Sequence, residues 1–190
     1  MTQPTAASES LILQKLGQVP AILKEQAIDA WLLFVRESEV LHDPTLDTLV
    51  GANVTWQSAF LFDATGRRTA IVGSLDVARI ERTGNFAEVI GYGEGVGADL
   101  RRILGDWDPQ SLALNFSTET ELADGLTHGM YLLLERYLEG TPYLARAVSS
   151  QPLVAAMRGR KSASEVERIQ KACTITQEIF DAVTPQLRVG

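Results

Sequence analysis

A chain of 190 residues, 45% hydrophobic and 22% charged, is long enough for one sizeable core with an element to spare, and its balance is that of an ordinary globular protein. Its net charge of −7 argues against nucleic acid and anionic membrane surfaces as partners, because an acidic domain attracts neither phosphate nor anionic lipid. One cysteine excludes an internal disulfide, and no apolar run approaches the ~20 residues that span a bilayer. Residues 1–10 lack a basic start followed by an apolar stretch, so no secretory signal is expected and the cytoplasm is the expected location.

In chain order, residues 1–7 read as a disordered arm. Ser8 or Ser10 then caps a helix to about Gln26, with Leu13, Leu16, Val19, Ile22 and Leu23 inward. Pro20 lacks a donor N–H, which predicts a kink or break near Gln18. Ala30-Trp31-Leu32-Leu33-Phe34-Val35 is a continuous apolar run, the pattern of a strand buried on both faces. A polar connection follows, through Arg36-Glu37-Ser38-Glu39 and His42-Asp43-Pro44. Asp43-Pro44 opens a short helical turn over 46–50, and Gly51 closes it. The apolar runs 58–62 and 69–72 flank Asp63-Ala64-Thr65-Gly66. This is a hairpin with a type I turn and Gly66 in the left-handed position.

A short helix over 75–82 is stopped by Gly84. Then come a strand over 87–90, a glycine-rich loop over 91–97, a helix over 98–104 and a strand over 112–115. Thr118 with Glu121 has capping-box spacing. A helix over 127–138 ends at Gly140-Thr141-Pro142, followed by a short strand within 144–148 and a helix over 152–157. Helix, strand, hairpin, then alternating strands and helices predict an α/β domain over 1–157. Its mixed sheet has five to six strands, with the hairpin antiparallel and the βα units parallel.

Residues 158–190 read as a separate piece. Arg158, Gly159, Arg160 and Lys161 form a polar hinge. Ser162 and Glu165 make a capping box, and Val166, Ile169, Cys173, Thr176, Phe180 and Val183 recur at helical spacing until Pro185. That protruding helix has one face built for burial, with Cys173 expected on it as a small buried hydrophobe. It reads as the start of a domain cut from a longer protein, or as a face that pairs with a second copy.

Chemistry is sparse. His42 and His128 lie far apart, no His-Glu-x-x-His or Cys pair exists, and Asp29, Asp63, Asp76, Asp106 and Asp108 sit at turns and caps. No metal site is expected. Ser58, Ser74 and Ser111 lack a Gly-x-Ser-x-Gly elbow. Gly93-Glu94-Gly95-Val96-Gly97-Ala98 fits G-x-G-x-x-A between a strand and a helix, which leaves a nucleotide- or small-ligand-binding βα unit as an alternative. Against it, Glu94 puts a carboxylate where a pyrophosphate would lie, and the next strand ends in Asn115-Phe116 without a ribose-binding acid. Trp56, in the polar link Val54-Thr55-Trp56-Gln57, is the aromatic residue that stands outside the core pattern.

The junction Arg158-Gly159-Arg160-Lys161-Ser162-Ala163-Ser164-Glu165-Val166-Glu167-Arg168-Ile169 resembles the Arg-x-x-Lys-x-x-x-Glu-x-x-x-Ile segment of the creatinase / aminopeptidase P / prolidase metallopeptidases. The order of elements over about 11–185 is similar to that family's N-terminal domain. Val54-Thr55-Trp56-Gln57-Ser58-Ala59-Phe60 and Asp124-Gly125-Leu126-Thr127-His128-Gly129-Met130 look like a bacterial Xaa-Pro dipeptidase or aminopeptidase subgroup. The resemblance implies a creatinase N-terminal-domain fold with ribonuclease H-like topology. It implies a homodimer whose missing C-terminal catalytic domain holds two divalent metal ions of the manganese type and cleaves the bond before proline. It assigns no catalytic or metal residue to this chain. It makes Arg36, His42 and Trp56, in the connection 36–57, possible contributors to a partner active site, and 158–161 the hinge. A stand-alone interaction module is the remaining alternative.

Overall fold

The computed structural model describes residues 6–188. The chain divides into two compact units, one ending at Gly159 and one beginning at Arg160.

The first unit is built on a six-stranded sheet in the order β4-β3-β2-β1-β5-β6. The strands are β1 (Ala30–Val35), β2 (Ser58–Asp63), β3 (Arg68–Gly73), β4 (Glu88–Tyr92), β5 (Leu112–Leu114) and β6 (Ala147–Ser149). The hairpin pair β2–β3 and the pair β1–β2 are antiparallel, with Leu32 opposite Leu61 and Phe60 opposite Ala70. The pairs β1–β5, β3–β4 and β5–β6 are parallel. Every residue of β1 and β2 is buried, because helices cover both faces. Strand alternation splits them cleanly. Trp31, Leu33, Val35, Phe60 and Phe62 face a core shared with α1 (Ala6–Glu25), α2 (Leu46–Leu49), α3 (Val77–Glu81) and α6 (Gln151–Gly159). Ala30, Leu32, Phe34, Ala59 and Leu61 face a second core shared with α4 (Gly97–Trp107) and α5 (His128–Leu138). Each buried Leu or Phe contributes roughly 1.5–3 kcal/mol, so two such layers hold the sheet firmly.

The turn of the hairpin is as read. Gly66 has φ +96° and donates to Asp63 O. Asp63 fixes the rest, accepting from Thr65 N at 2.9 Å and Arg67 N at 2.8 Å and pairing with the Arg67 guanidinium. Burial alone would push the Asp63 carboxyl up, but these hydrogen bonds from Arg67 and Thr65 outweigh it and hold it below the usual carboxylate range.

Several boundaries differ from expectation. Residues 1–5 of the expected arm lie outside the described residues, but Ala6 and Ala7 are already helical, and Ser8 and Ser10 lie inside α1 rather than capping it. The helix runs through Pro20 without a break. Ile12, Leu16, Val19, Ile22 and Leu23 anchor it on the sheet, and their burial exceeds the ~3 kcal/mol of an internal proline. Ile12 occupies the inward position expected for Leu13, which is 49% exposed. Buried Lys15 donates to Met157 O, at the last turn of α6, from 2.9 Å. A cation suits that negative helix end. Strand β4 continues through Gly91 and Tyr92, which shortens the glycine-rich loop to 93–96. Thr120, not Thr118, caps a 3-10 turn over 121–123 by accepting from Leu122 N. A 3-10 turn over 144–146 takes the first three residues of the last expected strand, which begins at Ala147 instead. Arg158 and Gly159 belong to α6.

The second unit is the helix α7 (Ala163–Val183) and a closing 3-10 turn. Its capping box is complete: Ser162 Oγ accepts from Glu165 N, and Glu165 accepts from Ser162 N. None of its residues is buried, and Cys173 is exposed rather than buried.

Candidate functional site

Strands β1, β3, β4, β5 and β6 run one way and β2 the other. The C-terminal ends of five strands and the start of β2 therefore share one edge of the sheet. From that edge leave the connection 36–57, after β1, and the loop 93–96, after β4. In open α/β sheets this is the edge at which ligands are bound.

The two segments meet there. A cleft of about 420 Å³ is lined by Arg36, Glu37, Thr55, Trp56 and Gln57 from the first, Tyr92, Gly93, Glu94 and Gly95 from the second, and Tyr137 of α5. The arms of the connection pair as they leave the sheet: Glu37 N donates to Thr55 O and Ser38 N to Val54 O, both at 3.0 Å. Glu37 holds φ +44° to make that bend, a left-handed conformation that costs a non-glycine residue about 1–2 kcal/mol.

The aromatic wall is fixed. Trp56 lies on Gly73, where a Cβ would stand 2.6 Å from its ring, and its centroid is 6.2 Å from that of Tyr92. The Tyr92 hydroxyl donates to Gln57 O and the Tyr137 hydroxyl to Gln57 Oε1, both at 2.7 Å. Burial, then the neighbouring Tyr137 and Asp76, push the Tyr92 hydroxyl up to about 12, so it stays a neutral donor at neutral pH. Gly97 opens α4 where a Cβ would lie 2.6 Å from the Tyr137 ring. That close approach accounts for a glycine which the sequence offered as part of a phosphate loop.

A buried polar network pins the middle of the connection to Asn115, directly after β5. Asp43, Thr45, Asn115 and Ser150 are each at most 2% exposed. Asn115 Nδ2 donates to Asp43 Oδ2 at 2.7 Å and to Thr45 Oγ1 at 2.9 Å. Asn115 Oδ1 accepts from Trp31 Nε1 and Ser150 Oγ, both at 2.7 Å. The amide uses both donors and both lone pairs, and the indole N–H fixes which way round it stands. Asp43 Oδ1 accepts from Thr45 N at 2.8 Å and from the Thr45 hydroxyl. Gly125 sits so close that an added Cβ would lie 2.1 Å from Asp43 Oδ2.

Of the residues the sequence singled out, Arg36 and Trp56 come together in the cleft. His42 does not line it. Its Nε2 lies 3.1 Å from Asp47 Oδ2 on the exposed side of the connection. His128 is the exposed first residue of α5, capped by Thr127, whose hydroxyl accepts from Met130 N. Arg158 and Gly159 close α6, while Arg160 and Lys161 open the second unit. Tyr92, Tyr137, Gln57, Glu37 and Glu94 were not singled out as partners in one site. The signal for Tyr92 was an aromatic residue at a strand's C-terminal end, directly before the glycines. Tyr137 carried none, since it sits in an ordinary apolar helix stripe. Among the described residues no three His, Cys, Asp or Glu side chains converge as metal ligands, and no helix is long and apolar enough to cross a membrane. The cleft lining contains no Ser, Cys or His.

No family model and no curated protein matches the sequence. Solved structures do match the fold. The X-Pro aminopeptidase of Thermotoga maritima superposes with TM-score 0.61 at 18% identity, over 92% of this chain and 44% of that one. The Xaa-Pro dipeptidase of Bacillus anthracis gives 0.57 at 17%, over 94% and 44%. The creatinase/prolidase N-terminal domain of an X-Pro dipeptidase from Streptococcus pyogenes gives 0.56 at 16%, over 75% of this chain and 98% of that domain. The fold is thus that of the creatinase/prolidase N-terminal domains, a mixed α/β sheet followed by a long helix. The chain spans under half the length of the Thermotoga and Bacillus proteins.

Proposed function

We propose that this chain is the non-catalytic N-terminal domain, with the first helix of the catalytic domain, of a cytoplasmic, metal-dependent Xaa-Pro peptidase. Its tasks are assembly of a homodimer and shaping of the active-site mouth. The observation that carries the reading is the pair of coverages, near-complete for an isolated N-terminal domain and 44% for whole peptidases. The junction motif at 158–169 supports it. In that protein, two manganese-type ions would be held by the missing domain, where metal-activated water cleaves the bond before proline. The exposed stripe of α7, with Ile179 and Phe180 at 58% and 65%, would pack on that domain or on a second copy. The connection 36–57, pinned by Asn115 and carrying Arg36 and Trp56, would reach a partner's active-site mouth.

The test is expression of the natural reading frame beside residues 1–190. Manganese-stimulated Xaa-Pro hydrolysis is expected from the longer protein and none from the shorter chain. In the longer protein, Arg36→Ala and Trp56→Ala should alter kcat/KM with the thermal transition kept. A frame that ends at residue 190, or lacks two Asp, one His and two Glu ligands downstream, overturns the reading.

A further inference from the structure

The cleft holds charges of both signs that pair with nothing among the described residues. Arg36, Glu37 and Glu94 all line it and all are exposed. Among the described residues their side chains form no ion pair and no hydrogen bond, either with one another or with a neighbour. Elsewhere in this domain charged groups of opposite sign that share a surface do find each other, as Arg67 with Asp63 and Arg146 with Asp108. Beside the three free charges stands the wall of Trp56, Tyr92 and Tyr137, locked by the bonds to Gln57 and by the seats at Gly73 and Gly97. A pre-set aromatic wall with separated charges matches a ligand that carries both signs on one small body.

We propose that this cleft binds a free aromatic α-amino acid. Its carboxylate meets the Arg36 guanidinium, its ammonium meets the Glu37 and Glu94 carboxylates, and its ring lies against Trp56 and Tyr92. A volume of about 420 Å³ suits a ligand of that size. A purely anionic ligand would leave two carboxylates facing it, and a purely cationic one would face Arg36. The aromatic wall adds ring stacking and, for the ammonium, attraction to the ring faces. The inference goes beyond the peptidase reading, since it needs neither a metal ion nor a second domain. It is tested on the 190-residue chain alone, so the two can fail separately.

The experiment is titration of the nitrogen-15-labelled chain with L-phenylalanine, phenethylamine and 3-phenylpropionate. L-phenylalanine should give saturable shifts at the Trp56 indole N–H and the Gly93 and Gly95 amides, and leave the indole of Trp107 still. Each single-charge analogue should bind about tenfold more weakly, the loss expected for one charge-assisted contact. Arg36→Ala should remove the advantage of L-phenylalanine over phenethylamine, and Glu37→Gln with Glu94→Gln its advantage over 3-phenylpropionate. No saturable shift up to roughly 10 mM, where any millimolar site would fill, overturns the proposal. Equal affinity for all three compounds overturns it as well, and that comparison on the unaltered chain decides the matter even if a variant fails to fold.

Discussion

Replacing Asn115 by Ala removes a side chain whose four hydrogen bonds tie Trp31, Asp43, Thr45 and Ser150 together. Four buried groups then lose a partner: the Asp43 carboxylate, the Trp31 N–H and the hydroxyls of Thr45 and Ser150. A buried polar group left unpaired costs about 1–3 kcal/mol, and a charged one more. Water entering the vacated space recovers part of this, which leaves a loss of about 3–5 kcal/mol. Set against the 5–15 kcal/mol typical of a domain, that is a large share. Urea unfolding at pH 7 reads it as a lower midpoint at unchanged slope. Asp43→Asn removes a charge whose Oδ2 has lost its Asn115 donor while Oδ1 keeps those of Thr45, so in the Asn115→Ala background it should cost at least ~1 kcal/mol less than in the native one. A loss below ~1 kcal/mol for Asn115→Ala, or strict additivity in that cycle, would refute the view that the network is one coupled unit.

Other outcomes follow from single contacts. Gly125→Ala places a methyl 2.1 Å from Asp43 Oδ2 and should destabilise by several times what Gly129→Ala does, since a Cβ at Gly129 meets nothing within 4 Å; paired thermal melts compare them. Asp63 has its folded pKa below the unfolded value of about 3.9. Its contribution is therefore present above that value and lost as pH falls through the folded pKa. Asp63→Asn should flatten the stability profile below about pH 4, and an unchanged acid limb would contradict this. Tyr92 has the opposite sense: its folded pKa of about 12 lies above the unfolded ~10, so its contribution is complete below pH ~10 and lost as pH rises toward 12. Tyr92→Phe should remove a phenol that ionises at about pH 12 from the ultraviolet titration of the folded chain.

The sheet was legible because its strands are continuous apolar runs, and continuity survives without knowledge of partners. The hairpin was legible because Asp63 and Gly66 carry their turn chemistry locally. The unbroken course of α1 through Pro20 is not legible in the sequence, because the burial of Ile12 and Ile22 is a tertiary fact that overrides a local rule. Half of the cleft was visible as Arg36 and Trp56, and half as Gly93 and Gly95. That they form one site depends on β1 and β4 ending at the same edge, a consequence of strand order that spacing along the chain does not contain. Asn115 drew notice only as the absence of an acid. Its partners lie as far as 84 residues away, and nothing local marks a four-way amide.

Anchoring the connection 36–57 at Asp43 and Thr45, midway along it, also bears on how its length can vary. A loop tethered only at its ends transmits any insertion to its whole course. Here the fixed midpoint makes two short spans, and residues added at 39–41, where Val40 is 80% exposed, change only the first. The entropic penalty of such an insertion grows only with the logarithm of that span's length. The position of Trp56 is set by the second span and by Gly73. Related chains can therefore lengthen or shorten the outer tip, and a protease can nick it, while the indole beside Tyr92 keeps its place.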